Sequence, residues 1–381
     1  MIERPIDTER ISSLIASFPV TAILGARQVG KSTLAKSFAF PHYFDLENPR
    51  DLARLDQPLL ALERLGGTVV IDEIQRKPDL FPLVRYLVDQ NPHRRFLVLG
   101  SASKALIRQS SESLAGRIAY YELGGFNLID VGLSTDSQQK LWVRGTFPRS
   151  FLATSDAESL LWRDQFIQTF LERDIPQLGI RIPSATLGRF WKMIAHYQGQ
   201  LLNYQELARS FSVSDGTVRH YLEILEGTFM VRLVQPWFEN RGKRLVKAPK
   251  LYIQDSGIFH ALQNIPDWET LEAHPKLGAS WEGFVLDAAI RHFMIREPYF
   301  YRTHSGTELD LFWEQDGKRI GMEIKYADAP RLTPSMKHAR EDLDLDMLLV
   351  IYPGDLSYKL DKNIVVLPFI KMYEGLPAIY D

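Results

Sequence analysis

Between residues 17 and 125 the chain alternates short apolar runs with helical stretches, and Val20–Leu24, His42–Leu46, Thr68–Ile71 and Phe96–Gly100 are the predicted strands. Such alternation predicts an α/β domain with a largely parallel sheet. From Ser155 to about His196 the apolar period becomes helical, with Leu161, Phe166, Phe170, Phe190 and Ile194 recurring, which reads as a helical connector or lid. Residues 200–255 combine two short helices with a β-hairpin signal, and 278–370 return to a helix followed by several strands. The expected segments are a nucleotide-binding α/β domain over 1–130, the connector over 131–195, a helix-turn-helix with a wing over 196–265, and a second α/β domain over 266–381. No repeat or low-complexity linker interrupts them.

Composition narrows the function classes. With 45% hydrophobic and 24% charged residues the 381-residue chain has the balance of a soluble globular protein, and its length suggests two to three units. It has no cysteine, which excludes disulfides, thiolate metal sites and a cysteine nucleophile and fits a reducing cytosol. The N-terminal MIERPIDTER is charged where a signal peptide is apolar, and no run reaches the ~18 apolar residues of a membrane span. The expected location is therefore cytoplasmic, with no membrane partner. A formal net charge of −2 gives no global pull toward nucleic acid, so such a partner has to be met by a local basic surface.

Candidate chemistry begins after the first strand. Gly25, Ala26, Arg27, Gln28, Val29, Gly30, Lys31 and Ser32, followed by Thr33, match G-x-x-x-x-G-K-[ST] between the Val20–Leu24 strand and a helical run. Glycines let backbone N–H groups turn around phosphates, Lys31 reaches the β/γ oxygens, and Ser32 takes a Mg2+ position. Thr68–Glu73 is an apolar strand ending in two acids: Asp72 is expected at the Mg2+ water shell and Glu73 at the attacking water. ATP and Mg2+ are thus the expected cofactors, with hydrolysis as the activity. Ser101, just past a third strand, is placed to sense the γ-phosphate, although a turn-forming serine reads the same way. Arg117 is the candidate arginine finger supplied to a neighbouring subunit, with a surface salt bridge as the equal alternative. A shared site of this kind implies a homo-oligomer, a hexameric ring among the arrangements open to it.

The segments GARQVGKST, DLENP (Asp45 to Pro49), VVIDEIQ, LGSAS (Leu99 to Ser103), LAGR and FLERDI (Phe170 to Ile175) together resemble prokaryotic AAA+-type ATPases that carry a C-terminal domain of unknown function, DUF4143. The similarity spans nearly the whole chain. It implies an AAA+-like P-loop domain over 1–130 in a cytoplasmic ATPase, and says little of what the ATP drives.

Two later segments bear on that question. Tyr204–Phe211, a turn at Ser212–Gly216 and Thr217–Glu226 read as helix-turn-helix, and β-rich runs follow at Met230–Trp237 and Lys250–Gln254. Between Pro236 and Lys250, five basic residues (Arg241, Lys243, Arg244, Lys247, Lys250) face one acid, Glu239, a local charge of 5 − 1 = +4. This winged-helix signature predicts DNA phosphate contacts from the wing, with Arg219 and His220 as groove contacts. Winged helices also serve as protein docking modules.

Farther on, Glu308–Gln315 and Lys318–Lys325 flank Asp316-Gly317, a favoured hairpin turn. If Gln315 faces Lys318, Asp310 opposes Glu323 and Glu308 opposes Lys325, all on one face, while Leu309, Leu311, Ile320, Met322 and Ile324 take the other. Carboxylates so opposed repel unless a divalent cation or a shared proton lies between them. The hairpin resembles the PD-(D/E)XK nuclease core. That resemblance implies a restriction-endonuclease-like fold over 266–381, with Glu282, Asp310 and Glu323 as metal ligands and Lys325 acting on the water. A solvated charged face shows the same alternation. The expected function is an ATP-hydrolysing AAA+-type protein acting on DNA; the alternative is an ATP-dependent switch for protein partners with an inactive nuclease-like domain.

Overall fold

A computed structural model describes residues 2–100, 110, 112–238 and 246–376, so Ser101, Arg241, Lys243 and Arg244 lie outside the described residues. The chain divides into two compact units: Met1–Phe126 with Gly227–Phe229, and Asn127–Glu226 with Met230–Asp381. Among the described residues no helix is long and apolar enough to cross a membrane.

The first unit is built on five strands, β1 (Val20–Leu24), β2 (His42–Asp45), β3 (Thr68–Asp72), β4 (Arg95–Gly100) and β5 (Ile118–Glu122), in the order β2-β3-β4-β1-β5. Every pairing is parallel. All five residues of β1 are buried, as a strand covered on both faces requires. One hydrophobic core, with Val20, Ala22, Phe44, Val69, Ile71, Phe81, Val84, Phe96 and Val98 among its members, holds the sheet. Because the strands are parallel, their carboxyl ends share one edge, and the loops after β1 and β3 emerge there together. The β5 strand carried no apolar run to predict it: its exposed and half-buried positions, Tyr120 and Tyr121 among them, belong to an edge strand.

The second unit carries β6 (Gln200–Leu201), β7 (Val231–Pro236), β8 (Lys250–Ile253), β9 (Tyr299–Arg302), β10 (Glu308–Gln315), β11 (Lys318–Ile324), β12 (Met347–Tyr352), β13 (Tyr358–Asp361) and β14 (Ile364–Pro368). They form one sheet ordered β13-β14-β12-β11-β10-β9-β7-β8-β6. The helices Tyr204–Phe211 and Asp215–Gly227 precede the β7–β8 pair, and Ser212 turns the chain between them at φ 52°. A parallel pairing of Gln235 with Tyr299 and Pro236 with Phe300 joins this small sheet to the C-terminal strands. The sheet therefore runs across position 265, where local pattern suggested a boundary. Pairing between strands some sixty residues apart leaves no local trace.

The β10–β11 hairpin has the register the turn dictates, from Gln315↔Lys318 to Leu311↔Met322. Asp316 and Gly317 both have positive φ, 53° and 74°, as a two-residue turn matching strand twist requires. The helix Leu277–His292 precedes β9, and Pro334–Leu343 crosses from β11 to the parallel β12.

Candidate functional site

The loop after β1 is shaped by its glycines. A Cβ on Gly25 would stand 2.4 Å from the Leu123 carbonyl oxygen, and Gly30 has φ 103°, so neither position tolerates a side chain without backbone movement. Ala26, Val29 and Lys31 are buried. The Lys31 ammonium folds over the loop and donates to the carbonyls of Gly25 (2.9 Å) and Ala26 (2.8 Å). Arg27 reaches Glu47 at 2.9 Å. From the N-terminal segment Arg4, held by Asp7 at 2.8 Å, donates to the carbonyls of Val29 (3.3 Å), Gly124 (2.8 Å) and Gly125 (2.9 Å). One buried guanidinium thereby ties the loop to the exit of β5.

The second group of residues stands at the carboxyl ends of β2 and β3. Asp72 is 2% exposed; its Oδ2 accepts from the Tyr43 hydroxyl at 2.6 Å and its Oδ1 from the Glu73 amide at 2.9 Å. Ser32 lies near enough to the Tyr43 hydroxyl to bear on its acidity, so Tyr43 stands beside both residues assigned to the Mg2+ site. Burial, reinforced by Asp72, pushes the Tyr43 pKa up, which keeps it a donor at physiological pH. Glu73 sits in the left-handed region at φ 57°, and Gln75 donates to its carboxylate. Burial raises the Glu73 pKa, Lys31 opposes the rise and Asp72 adds to it. Arg4 and Tyr43 were missed by sequence reasoning, because both act through contacts that only folding creates.

Arg117 lies at the other edge of the sheet: its carbonyl accepts from Val20 N at the amino end of β1. Its guanidinium grips Asp89 at 2.6 and 3.1 Å and the Ala115 carbonyl at 3.0 Å. This is the surface ion pair that the sequence had left as the alternative.

In the second unit, Glu282 on the helix Leu277–His292 and Glu323 on β11 both lie close to Asp310 on β10, and Glu308 stands two residues before it on the same strand. Lys250, however, does not lie on an exposed basic wing. It is 2% exposed, with Nζ at 2.7 Å from Glu308, 3.2 Å from Glu282 and 3.2 Å from Asp310. The assignment of Lys250 to DNA phosphate contact is thereby corrected: a buried, ion-paired ammonium is not presented to solvent. Among the described residues no three acidic or histidine side chains form a metal-holding group. Of the three residues expected as metal ligands, Glu282 and Asp310 pair with the Lys250 ammonium and Glu323 pairs with Lys325. Lys325 is paired with Glu323 at 2.6 Å rather than with Glu308, which also meets Arg302 at 3.2 Å.

Electrostatics follow from that crowding. Burial, with Asp310 adding to it, pushes Glu282 up to about 7 and Glu323 up to about 8. Tyr252 donates to Glu282 at 2.6 Å, and the Ile324 amide donates to Asp310 at 2.9 Å. Burial works against the charge on Lys250, but the surrounding groups outweigh it and its pKa is raised. Lys325 is raised in the same way, with Glu323 and Asp310 overcoming burial. Elsewhere Arg219 and His220 are exposed on the helix Asp215–Gly227, with Arg219 3.9 Å over the Tyr204 ring, and Lys247 is exposed beyond it.

Comparison with known proteins places three family models along the chain: an AAA domain over residues 17–131, a domain of unknown function (DUF8612) over 135–269, and a second (DUF4143) over 277–372. Uncharacterized proteins of Mycobacterium tuberculosis and Mycobacterium bovis are each 46% identical over 372 residues, covering 97% of this chain and 84% of theirs. Among solved structures, a Walker-type ATPase of Pyrococcus abyssi aligns with 69% of this chain and 96% of its own at 15% identity, with a TM-score of 0.46. The ADP complex of Hsp104 from S. cerevisiae aligns with 59% of this chain and 38% of its own at 12% identity, with a TM-score of 0.30.

Proposed function

The chain belongs to the family of AAA-domain proteins with a C-terminal DUF4143 domain, and from that membership we propose that it binds ATP with Mg2+ at Gly25–Thr33, hydrolyses it, and couples the cycle to DNA held by the second unit. The observation that carries the nucleotide reading is the edge shared by the loop after β1 and the Asp72-Glu73 end of β3. Ser32 and the buried Asp72 offer hard oxygen donors of the kind Mg2+ takes. When bound, the ion neutralises charge on the transferring phosphate. Lys31 leaves the Gly25 and Ala26 carbonyls to meet the β/γ oxygens. Glu73, released from Gln75, accepts a proton from the attacking water, and its raised pKa brings it nearer the range in which a general base works.

The DNA part is supported by the order helix, turn, helix and β-pair over 204–253, with Arg219, His220 and Lys247 exposed. In this reading residues 1–130 are the ATPase domain, 131–195 a connector, 196–265 a winged helix and 266–381 a nuclease-like domain. ATPase rate measured with and without duplex, single-stranded and branched DNA at low salt tests it, with Lys31→Ala as the inactive control. Stimulation that Arg219→Ala and Lys247→Ala weaken supports it, and neither stimulation nor binding at low salt rejects it. One observation favours a second reading, an ATP-dependent switch for protein partners with an inactive nuclease-like domain: Lys250 stands in the acid cluster.

A further inference from the structure

The acid cluster of the second unit holds a cation of its own, the Lys250 ammonium. We propose that Lys250 is the built-in counter-ion of Glu282, Glu308 and Asp310, and that the cluster takes up neither Mg2+ nor Mn2+ while Lys250 is in place. This rests on the cluster alone and not on the ATPase or DNA reading.

Three observations carry it. First, the ammonium pairs with three carboxylates, at 2.7, 3.2 and 3.2 Å, at 2% exposure, and donates hydrogen bonds to Glu282 and Asp310. Second, its backbone is locked: Lys250 pairs with Val234 of β7 on one side and Leu201 of β6 on the other, in the middle of a three-strand ladder. The side chain therefore cannot be withdrawn by a loop movement, and a divalent ion entering the cluster has to leave a buried ammonium without partners, which is strongly unfavourable. Third, the charge is close to balance. Four acids (Glu282, Glu308, Asp310, Glu323) meet three cations (Lys250, Arg302, Lys325), a sum of −1 when all are ionised. A divalent ion is not needed to hold these carboxylates together.

The test is Mn2+ binding to the full-length, nucleotide-free chain, followed by the EPR signal of free Mn2+, with Asp72→Asn in every sample to remove the carboxylate of the nucleotide site. With Lys250 present, no site tighter than millimolar is expected. Lys250→Met, which keeps length and removes charge, is expected to gain one site at least tenfold tighter, and adding Asp310→Asn is expected to abolish it. The proposal is overturned if the chain with Lys250 intact binds one Mn2+ that Asp310→Asn removes, or if Lys250→Met folds and gains nothing. Should Lys250→Met fail to fold, Glu308→Gln and Asp310→Asn are added to remove the uncompensated charge. Recovery of the melting temperature to within several degrees of the parent supports a counter-ion role, and no recovery overturns it.

Discussion

Replacing Tyr43 by Phe isolates one contact of the nucleotide site. The Tyr43 hydroxyl donates to Asp72 Oδ2 at 2.6 Å. If Asp72 turns toward Mg2+, that hydroxyl has to yield it before the ion and its waters can take its place. A hydrogen bond from a neutral donor to a charged acceptor is worth ~1.5–3 kcal/mol. Part of this is returned in the variant, where water solvates Asp72 in the free protein. The remaining gain is about 1.4 kcal/mol, a tenfold change in affinity. Tyr43→Phe is therefore expected to bind ATP about tenfold more tightly in the presence of Mg2+, and with unchanged affinity in EDTA. Titration with a fluorescent ATP analogue under both conditions reads the difference. Weaker Mg2+-dependent binding, or an equal change in EDTA, would falsify the idea that Tyr43 competes with the ion.

Further outcomes follow from the same geometry. Glu73→Gln is expected to bind ATP within a few-fold of the parent while hydrolysis falls ~100-fold or more, the scale of a lost general base; steady-state phosphate release measures it, and undiminished turnover would remove Glu73 from the mechanism. Arg117→Ala breaks the Asp89 pair at an exposed, solvent-screened position, so the melting temperature should barely change. If Arg117 also acts on a neighbour's ATP, mixing this variant with Lys31→Ala restores part of the hydrolysis, and no rescue at any ratio limits Arg117 to its surface pair. Glu323 has its folded pKa raised from 4.5 to about 8, so the folded chain holds a proton that the unfolded chain releases. Its contribution to stability is accordingly present below about pH 4.5 and is lost as pH rises toward 8. Denaturant midpoints of the second unit should decline across that window, and Glu323→Gln should flatten the decline; an unchanged slope in the variant would place its origin elsewhere.

What sequence alone determined is the chemistry written in contiguous residues. The loop Gly25–Ser32 was legible because phosphate binding needs glycines, a lysine and a hydroxyl at fixed spacing directly after a buried strand. The β10–β11 register was legible because Asp316-Gly317 forces a two-residue turn, after which side-chain alternation places Asp310 and Glu323 by counting. Contacts between distant residues were decided only by tertiary structure. Tyr43 meets Asp72 because β2 pairs with β3 in parallel, and Arg4 meets the loop from 25 residues away. Lys250 shows the limit most clearly. By adjacency it belonged to a basic loop, and charge alone does not say which way a side chain points. As the first residue of β8, in a strand whose four residues are all buried, it faces inward, and there the acids of β10 and of the helix Leu277–His292 hold it. Local pattern assigns a residue its type of partner, but the topology that pairs β8 with β6 and β7 selects which partner it meets.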